Sequence, residues 1–257
     1  MAHGSEIRTR GAEAQTGLRL QGADHLPAWL SLWGPLAIAA ALALIWNLAP
    51  QFYFGYIAYE DGVLEASHFI VALICVVWCL RVLALPEVRR DRLVLTWIVL
   101  GLFGSFYIAG EEISWGQQYV HWVTPDSWQS VNDQGETNLH NTSAWLDQKP
   151  RTLLEIGVIV GGIVIPLLAL RWPWLRKGRF ALFLPALSCL PVAVICEVVK
   201  MSGRLQSIGF LDWKLFENAS EVQELYLSLF ILLYLVVFRN RVLARRSAGL
   251  PARPVGG

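Results

Sequence analysis

The sequence predicts an all-α protein: a polytopic transmembrane helical bundle of about six spans, both termini cytoplasmic, with a long structured outer loop between spans 3 and 4. Three observations predict it. The 257 residues are 55% hydrophobic and 16% charged, against roughly 25% charged in an ordinary soluble domain, and mean hydropathy is +0.45. The apolar residues fall into separate runs of about 18 to 23 residues, each long enough at about 1.5 Å per residue to cross a hydrocarbon core of about 30 Å. Basic residues gather in alternate connections between those runs. The alternation of a membrane β-strand is missing, and a helix satisfies its own backbone in lipid.

Residues 1–28 form a polar tail carrying Glu6, Arg8, Arg10, Glu13, Arg19 and Asp24. The tail lacks the early apolar core of a cleavable signal peptide, so the first apolar run is expected to stay as an anchor. The transmembrane domain is expected over 29–238, with spans at 29–51, 64–85, 93–110, 152–172, 180–199 and 220–238. The outer loop covers 111–150. A basic tail over 239–257 is expected to be a disordered, lipid-facing strip on the cytoplasmic side.

Orientation follows from Lys and Arg. Of 21 basic residues, 16 fall at one set of ends: Arg8, Arg10, Arg19, Arg81, Arg89, Arg90, Arg92, Arg171, Arg176, Lys177, Arg179, Arg239, Arg241, Arg245, Arg246 and Arg253. Lys149, Arg151, Lys200, Arg204 and Lys214 take the opposite ends, so the positive-inside rule puts both termini in the cytoplasm. The acids run the other way. Only Glu6, Glu13, Asp24, Glu87 and Asp91 of the 20 fall on the cytoplasmic side, and since acids contribute little to topology their segregation needs its own cause. Cys75, Cys79, Cys189 and Cys196 all lie inside apolar runs, where they read as small packing residues rather than a secreted disulfide framework.

Four polar motifs stand at the outer ends. Tyr59-Glu60-Asp61-Gly62 leads into the second span, where Glu65 and His68 share a helical face. There Asp61 is expected to cap the helix, while Glu65 and His68 either bond within the bundle or line a cavity. Gly110-Glu111-Glu112-Ile113-Ser114-Trp115-Gly116-Gln117-Gln118 closes the third span. It sets adjacent carboxylates at a helix C-terminus, where the dipole disfavours them. Gln134-Gly135-Glu136-Thr137-Asn138-Leu139-His140-Asn141 lies in the long loop among Trp115, Tyr119, Trp122, Trp128 and Trp145, aromatics suited to the interface. If that segment is helical, Glu136 and His140 face the same way and can orient one another, bind a metal or act as an acid/base pair. Last, Ser220-x-x-Gln223 and Thr152-x-x-Glu155 read as capping boxes. Glu155, Glu197 and Glu224 sit inside apolar runs, where an unpaired carboxylate is expensive.

The first three motifs resemble the signatures of a family of uncharacterised bacterial multi-pass inner-membrane proteins. The resemblance covers roughly residues 50–145, at Glu60, Asp61, Glu65, Glu111, Glu112, Ser114, Trp115, Gln117, Glu136, Asn138, His140 and Asn141. It implies a bacterial inner-membrane location and no particular activity.

Carboxylates crowded together repel until a proton or a cation is shared among them. The leading expectation is therefore a membrane-embedded enzyme, a hydrolase or transferase working on a lipid or lipid-linked substrate. Its catalytic candidates are Glu111, Glu112, Glu136, His140, Glu65 and His68. A divalent metal is the candidate cofactor, with Glu112, Glu136 and His140 as its ligands. Membrane lipids are the expected partners and nucleic acid is not. The alternatives are a proton- or cation-coupled transporter using Glu155, Glu197 and Glu224, and a non-catalytic accessory subunit of a membrane complex.

Overall fold

The computed structural model describes residues 22–59, 62–129, 137, 144–176, 180–212 and 215–250. Among these residues every regular element is helical. Five helices are long and apolar enough to cross a membrane, the make-up of a multi-pass membrane protein: α1 (Trp29–Leu48), α2 (Val63–Leu83), α3 (Arg92–Glu112), α4 (Lys149–Arg171) and α6 (Ala219–Ser247). Large apolar side chains such as Ile70, Leu100 and Phe103 are more than half exposed, which suits a surface solvated by lipid rather than water. All four cysteines are buried free thiols, as packing residues should be.

The expected span over 180–199 takes a different form. Its first part is turn and 3₁₀ structure, and the helix, α5 (Leu190–Ser207), begins only at Leu190. It then carries Glu197 near its middle and Lys200 and Arg204 beyond it, so it lacks the continuous apolar surface of the other five. Polar partners inside the bundle replace that surface. Arg204 reaches Glu155 of α4 at 2.7 Å, and the Lys200 ammonium donates to Ser220 Oγ of α6 at 3.4 Å.

Side-chain contacts sort the connections into two ends. At one end Arg241 of α6 binds Asp24 Oδ1 at 2.5 Å and donates to the carbonyls of Ala181 (3.0 Å), Leu182 (3.3 Å) and Leu184. Arg246 meets Glu87 there at 3.4 Å. The expectation of a disordered strip from Arg239 is thereby corrected, because α6 runs on to Ser247. Its arginines have carbonyls and carboxylates to hold, and those fix the last helical turns. At the other end lie the close of α3, the start of α2, the start of α6 and Arg151 of α4.

The helix α6 is the centre of the bundle. Half of its apolar window is buried, against 17–28% for the other four spans, and it packs on α2 and on α5. Val222, Tyr226, Phe230 and Leu233 join residues of α1 and α5 in one core, while Leu235, Phe238 and Val242 join Cys75, Cys79 and Ile98 in a second. Buried hydroxyls are spent on backbone: Tyr226 donates to the Pro35 carbonyl at 2.6 Å and Tyr53 to that of Glu217 at 2.9 Å. Facing α5 and α6, α4 widens into π-helical turns over Val158–Val164. A Cβ at Gly162 would lie 2.6 Å from the Phe230 ring and 2.7 Å from the Ala193 methyl, whereas one at Gly161 would meet Pro185 at 3.4 Å. Overpacking of this kind costs about 1–3 kcal/mol. Gly162→Ala is therefore expected to lower the thermal unfolding midpoint in mild detergent, with Gly161→Ala close to wild type; equal midpoints for the two would refute this packing.

Candidate active site

His68 lies on the second turn of α2, where α2 meets α6, and only 6% of it is exposed. Both ring nitrogens are engaged. Nδ1 stands 2.9 Å from Glu112 Oε2, on the last residue of α3, and Nε2 stands 2.8 Å from Ser228 Oγ, on α6. Glu224 and Ser228 are four residues apart, hence on one face of α6. The donor atoms of His68, Glu112 and Glu224 lie within 4.8 Å of one another. Arg151 of α4 completes the cluster through an ion pair with Glu224. A cavity of about 100 Å³ opens between these groups, walled also by Tyr107, Glu111 and Leu154. Glu65 sits half-buried one turn before His68 on α2, within electrostatic reach of Glu221.

With Glu112 as a carboxylate, the proton positions follow. An ionised carboxylate only accepts, so Nδ1 carries the hydrogen and donates to Glu112. Nε2 is then the acceptor and takes the Ser228 hydroxyl hydrogen. The row Ser228, His68, Glu112 is a path along which a proton can leave a hydroxyl, with a carboxylate behind the imidazole to hold its tautomer and stabilise its cation.

The sequence puts Glu111 and Glu112 at an unfavourable helix end, and α3 does stop at Glu112. Local structure offsets the cost. After Ile113 the backbone enters the left-handed region at Ser114 (φ 46°), Trp115 (φ 57°) and Gly116 (φ 99°), which reverses the chain and lays the Trp115 indole back on α3. A side chain at position 110 would come within 2.8 Å of that ring, so only glycine fits there. Trp115 Nε1 donates to Glu111 Oε1 at 2.6 Å, and His68 does the same for Glu112 from the bundle side. Glu111 thus belongs to the wall of the cavity, with its carboxylate bound by an indole.

The same motif continues into a clamp. The Gln117 amide donates to Thr124 Oγ1 at 2.7 Å and to the Trp122 carbonyl at 3.0 Å, and its Oε1 accepts from the Thr137 backbone N–H at 2.6 Å. Trp122 Nε1 closes the ring on Thr137 Oγ1 at 3.1 Å. Glu136 and His140, two of the candidate catalytic residues and metal ligands, lie outside the described residues, as do Glu60, Asp61, Asn138 and Asn141. Thr137, between the motif's two candidates, is nevertheless tied to Gln117.

Two expected capping boxes are corrected. Ser220 lies inside α6, whose N-cap is Asn218, and it accepts from Lys200. Gln223 is fully buried and makes no cap. Thr152 is likewise no cap, because the helix is already running from Ala144; Glu155 is held by Arg204 instead. In both places a cross-helix partner outcompetes the local cap. Ser228 and Arg151 were not among the expected site residues. Ser228 sits in the run Leu225-Tyr226-Leu227-Ser228-Leu229-Phe230, and its spacing of four from Glu224 is the one available signal.

Comparison of the chain with protein-family models, curated proteins and solved structures finds no match.

If Gln117 holds the long loop against the end of α3, Gln117→Ala releases it. The expected outcome is faster hydrogen exchange at the Thr137 amide, by about tenfold for each 1.4 kcal/mol of lost protection, with the amides of α2 and α6 unchanged. Exchange at Thr137 equal to wild type would refute the clamp.

Proposed function

We propose that the protein is a membrane-embedded hydrolase or transferase with an extracytoplasmic site acting on a lipid or lipid-linked substrate. In this reading all six helices span the bilayer, both termini are cytoplasmic, and the membrane is a bacterial inner membrane, as the motif resemblance implies. The observation that carries the reading is the buried His68–Glu112 pair on the wall of a cavity; it stands near the ends of α2 and α3, which in this reading is where headgroups meet acyl chains. An imidazole backed by a carboxylate is a general acid and base that typically contributes 10² to 10⁴-fold in rate. Both ring nitrogens of His68 are spent in one line, carboxylate to imidazole to hydroxyl. The transport alternative draws less support, because Glu224 and Glu155 each already hold an arginine and a carried cation would have to displace it.

A second reading rests on one distance. Three donors within 4.8 Å, one imidazole and two carboxylates, match the mixed N/O ligation of a divalent cation such as Zn²⁺. Metal analysis after purification in mild detergent tests it. A stoichiometric metal lost in Glu224→Gln supports it; a metal-free protein with full lipid turnover sinks it.

The main proposal is tested in nanodiscs of bacterial phospholipid by mass spectrometry of released acyl chains and headgroups. Turnover should fall by about 100-fold or more in His68→Ala and Glu112→Ala. Turnover unaffected by either change, or missing from wild type, would overturn it. Orientation is tested separately at Val123, which is 83% exposed. Val123→Cys should react with an impermeant maleimide added to intact cells, and labelling only after lysis would reverse the proposed sidedness.

A further inference from the structure

Ser228 is a buried hydroxyl in the middle of an apolar helix face, 2% exposed. Packing alone gives no reason for a serine there, since Leu227 and Leu229 flank it and Leu225, Phe230 and Leu233 bury neighbouring faces. Its oxygen lies 2.8 Å from His68 Nε2, on the far side of the imidazole from Glu112 at 2.9 Å. These groups come from three separate helices, so local sequence does not force the alignment. Nucleophile, base and orienting carboxylate within hydrogen-bond reach of each other are the geometric signature of an activated serine, whatever the fold. Ser228 also borders the cavity that Arg151 and Glu224 share, so a substrate atom placed there would meet the hydroxyl.

Building on the acid/base reading of His68 and Glu112, we propose that Ser228 is a catalytic nucleophile that accepts an acyl group from an ester-linked membrane lipid. Chemistry selects the ester: a serine hydroxyl whose proton passes to an imidazole backed by a carboxylate is the arrangement of acyl transfer. Glu112 ends α3 and His68 lies on the second turn of α2, so the cluster stands near helix ends, where the ester of a membrane lipid would enter.

The steps balance. Ser228 Oγ bonds to the ester carbonyl carbon as its proton passes to His68 Nε2, and the imidazolium so formed is stabilised by Glu112. The carbon–oxygen bond to the glycerol-type alcohol then breaks, and the departing alkoxide takes the proton from Nε2. Water, in hydrolysis, or a second alcohol, in acyl transfer, attacks the acyl-serine with His68 as base and releases Ser228. Arg151, the cation of the cavity wall, supplies positive charge for the carbonyl oxygen as it becomes anionic.

An alkyl fluorophosphonate tests the nucleophile on the whole unmodified protein in nanodiscs. The expected result is a single adduct on the peptide containing Ser228, absent in Ser228→Ala and formed about 100-fold more slowly in His68→Ala and Glu112→Gln. Acyl release should be lost in Ser228→Ala. The two levels of the reading fail differently. No adduct at Ser228, with acyl release still dependent on His68, overturns the nucleophile and leaves the acid/base site standing. An adduct on a different serine also overturns the nucleophile. Neither adduct nor His68-dependent turnover overturns both.

Discussion

A charge inside a membrane helix bundle must find its partner in the protein, because stripping an ion of water costs several kcal/mol even after relaxation. Much of this structure follows from that constraint. Glu224 is held by Arg151, Glu155 by Arg204, Asp24 by Arg241, and Glu112 by His68. Each pair joins segments far apart in sequence. Sliding one helix by a turn would strand a charge on both sides of the contact, so the pairs set helix register as packing of leucines against lipid-like neighbours cannot. The helix α6 contributes to the pairs at both of its ends, and its apolar window, packed on α2 and α5, is the most buried of the five.

The two ends use this constraint for different work. Around Arg241 a single guanidinium takes up three backbone carbonyls and a carboxylate, which ties the start of the bundle, the turn before α5 and the tail of α6 into one knot. Around His68 the partners do not cancel so completely. An imidazole has two distinct nitrogens, and here one faces a carboxylate and the other a hydroxyl. That arrangement leaves a movable proton beside a cavity, where the Arg241 knot leaves none.

Legibility in the sequence tracked the range of the interaction. Span positions were readable because length and apolarity are local: α1, α2, α3 and α4 fall close to the expected boundaries, and α6 starts where expected but runs on to Ser247. The Glu111-Glu112 pair was readable as an anomaly because a helix dipole disfavours it, and His68 was readable as an ionisable group inside a span. What resolved the anomaly was not readable: a left-handed turn that returns Trp115 to Glu111, and a histidine from another helix beside Glu112. The capping readings at Ser220 and Thr152 failed for the same reason, since a motif scan sees four adjacent residues and Lys200 and Arg204 approach from α5. Ser228 had no chance of being found alone. A serine in an apolar run is unremarked until the residue 160 positions earlier is seen against it.

The direction of one hydrogen separates the two chemistries that the cluster allows. For a cation to bind His68, Glu112 and Glu224 together, Nδ1 has to give its lone pair to the metal, so the hydrogen sits on Nε2. A ligating histidine then donates from its second nitrogen to a nearby acceptor, and Ser228 becomes that acceptor, with its hydroxyl hydrogen turned away. In that state serine cannot lose a proton to the ring. With the hydrogen on Nδ1, Glu112 accepts it and Nε2 is free to take the serine proton, but no lone pair faces the carboxylates. Arg151 weighs on the choice. Its guanidinium already balances Glu224, so a divalent ion would add charge to a place that has its cation, whereas the proton relay needs that cation left where it is. The ion pair between α4 and α6 therefore favours the serine relay by the same charge pairing that holds the bundle in register.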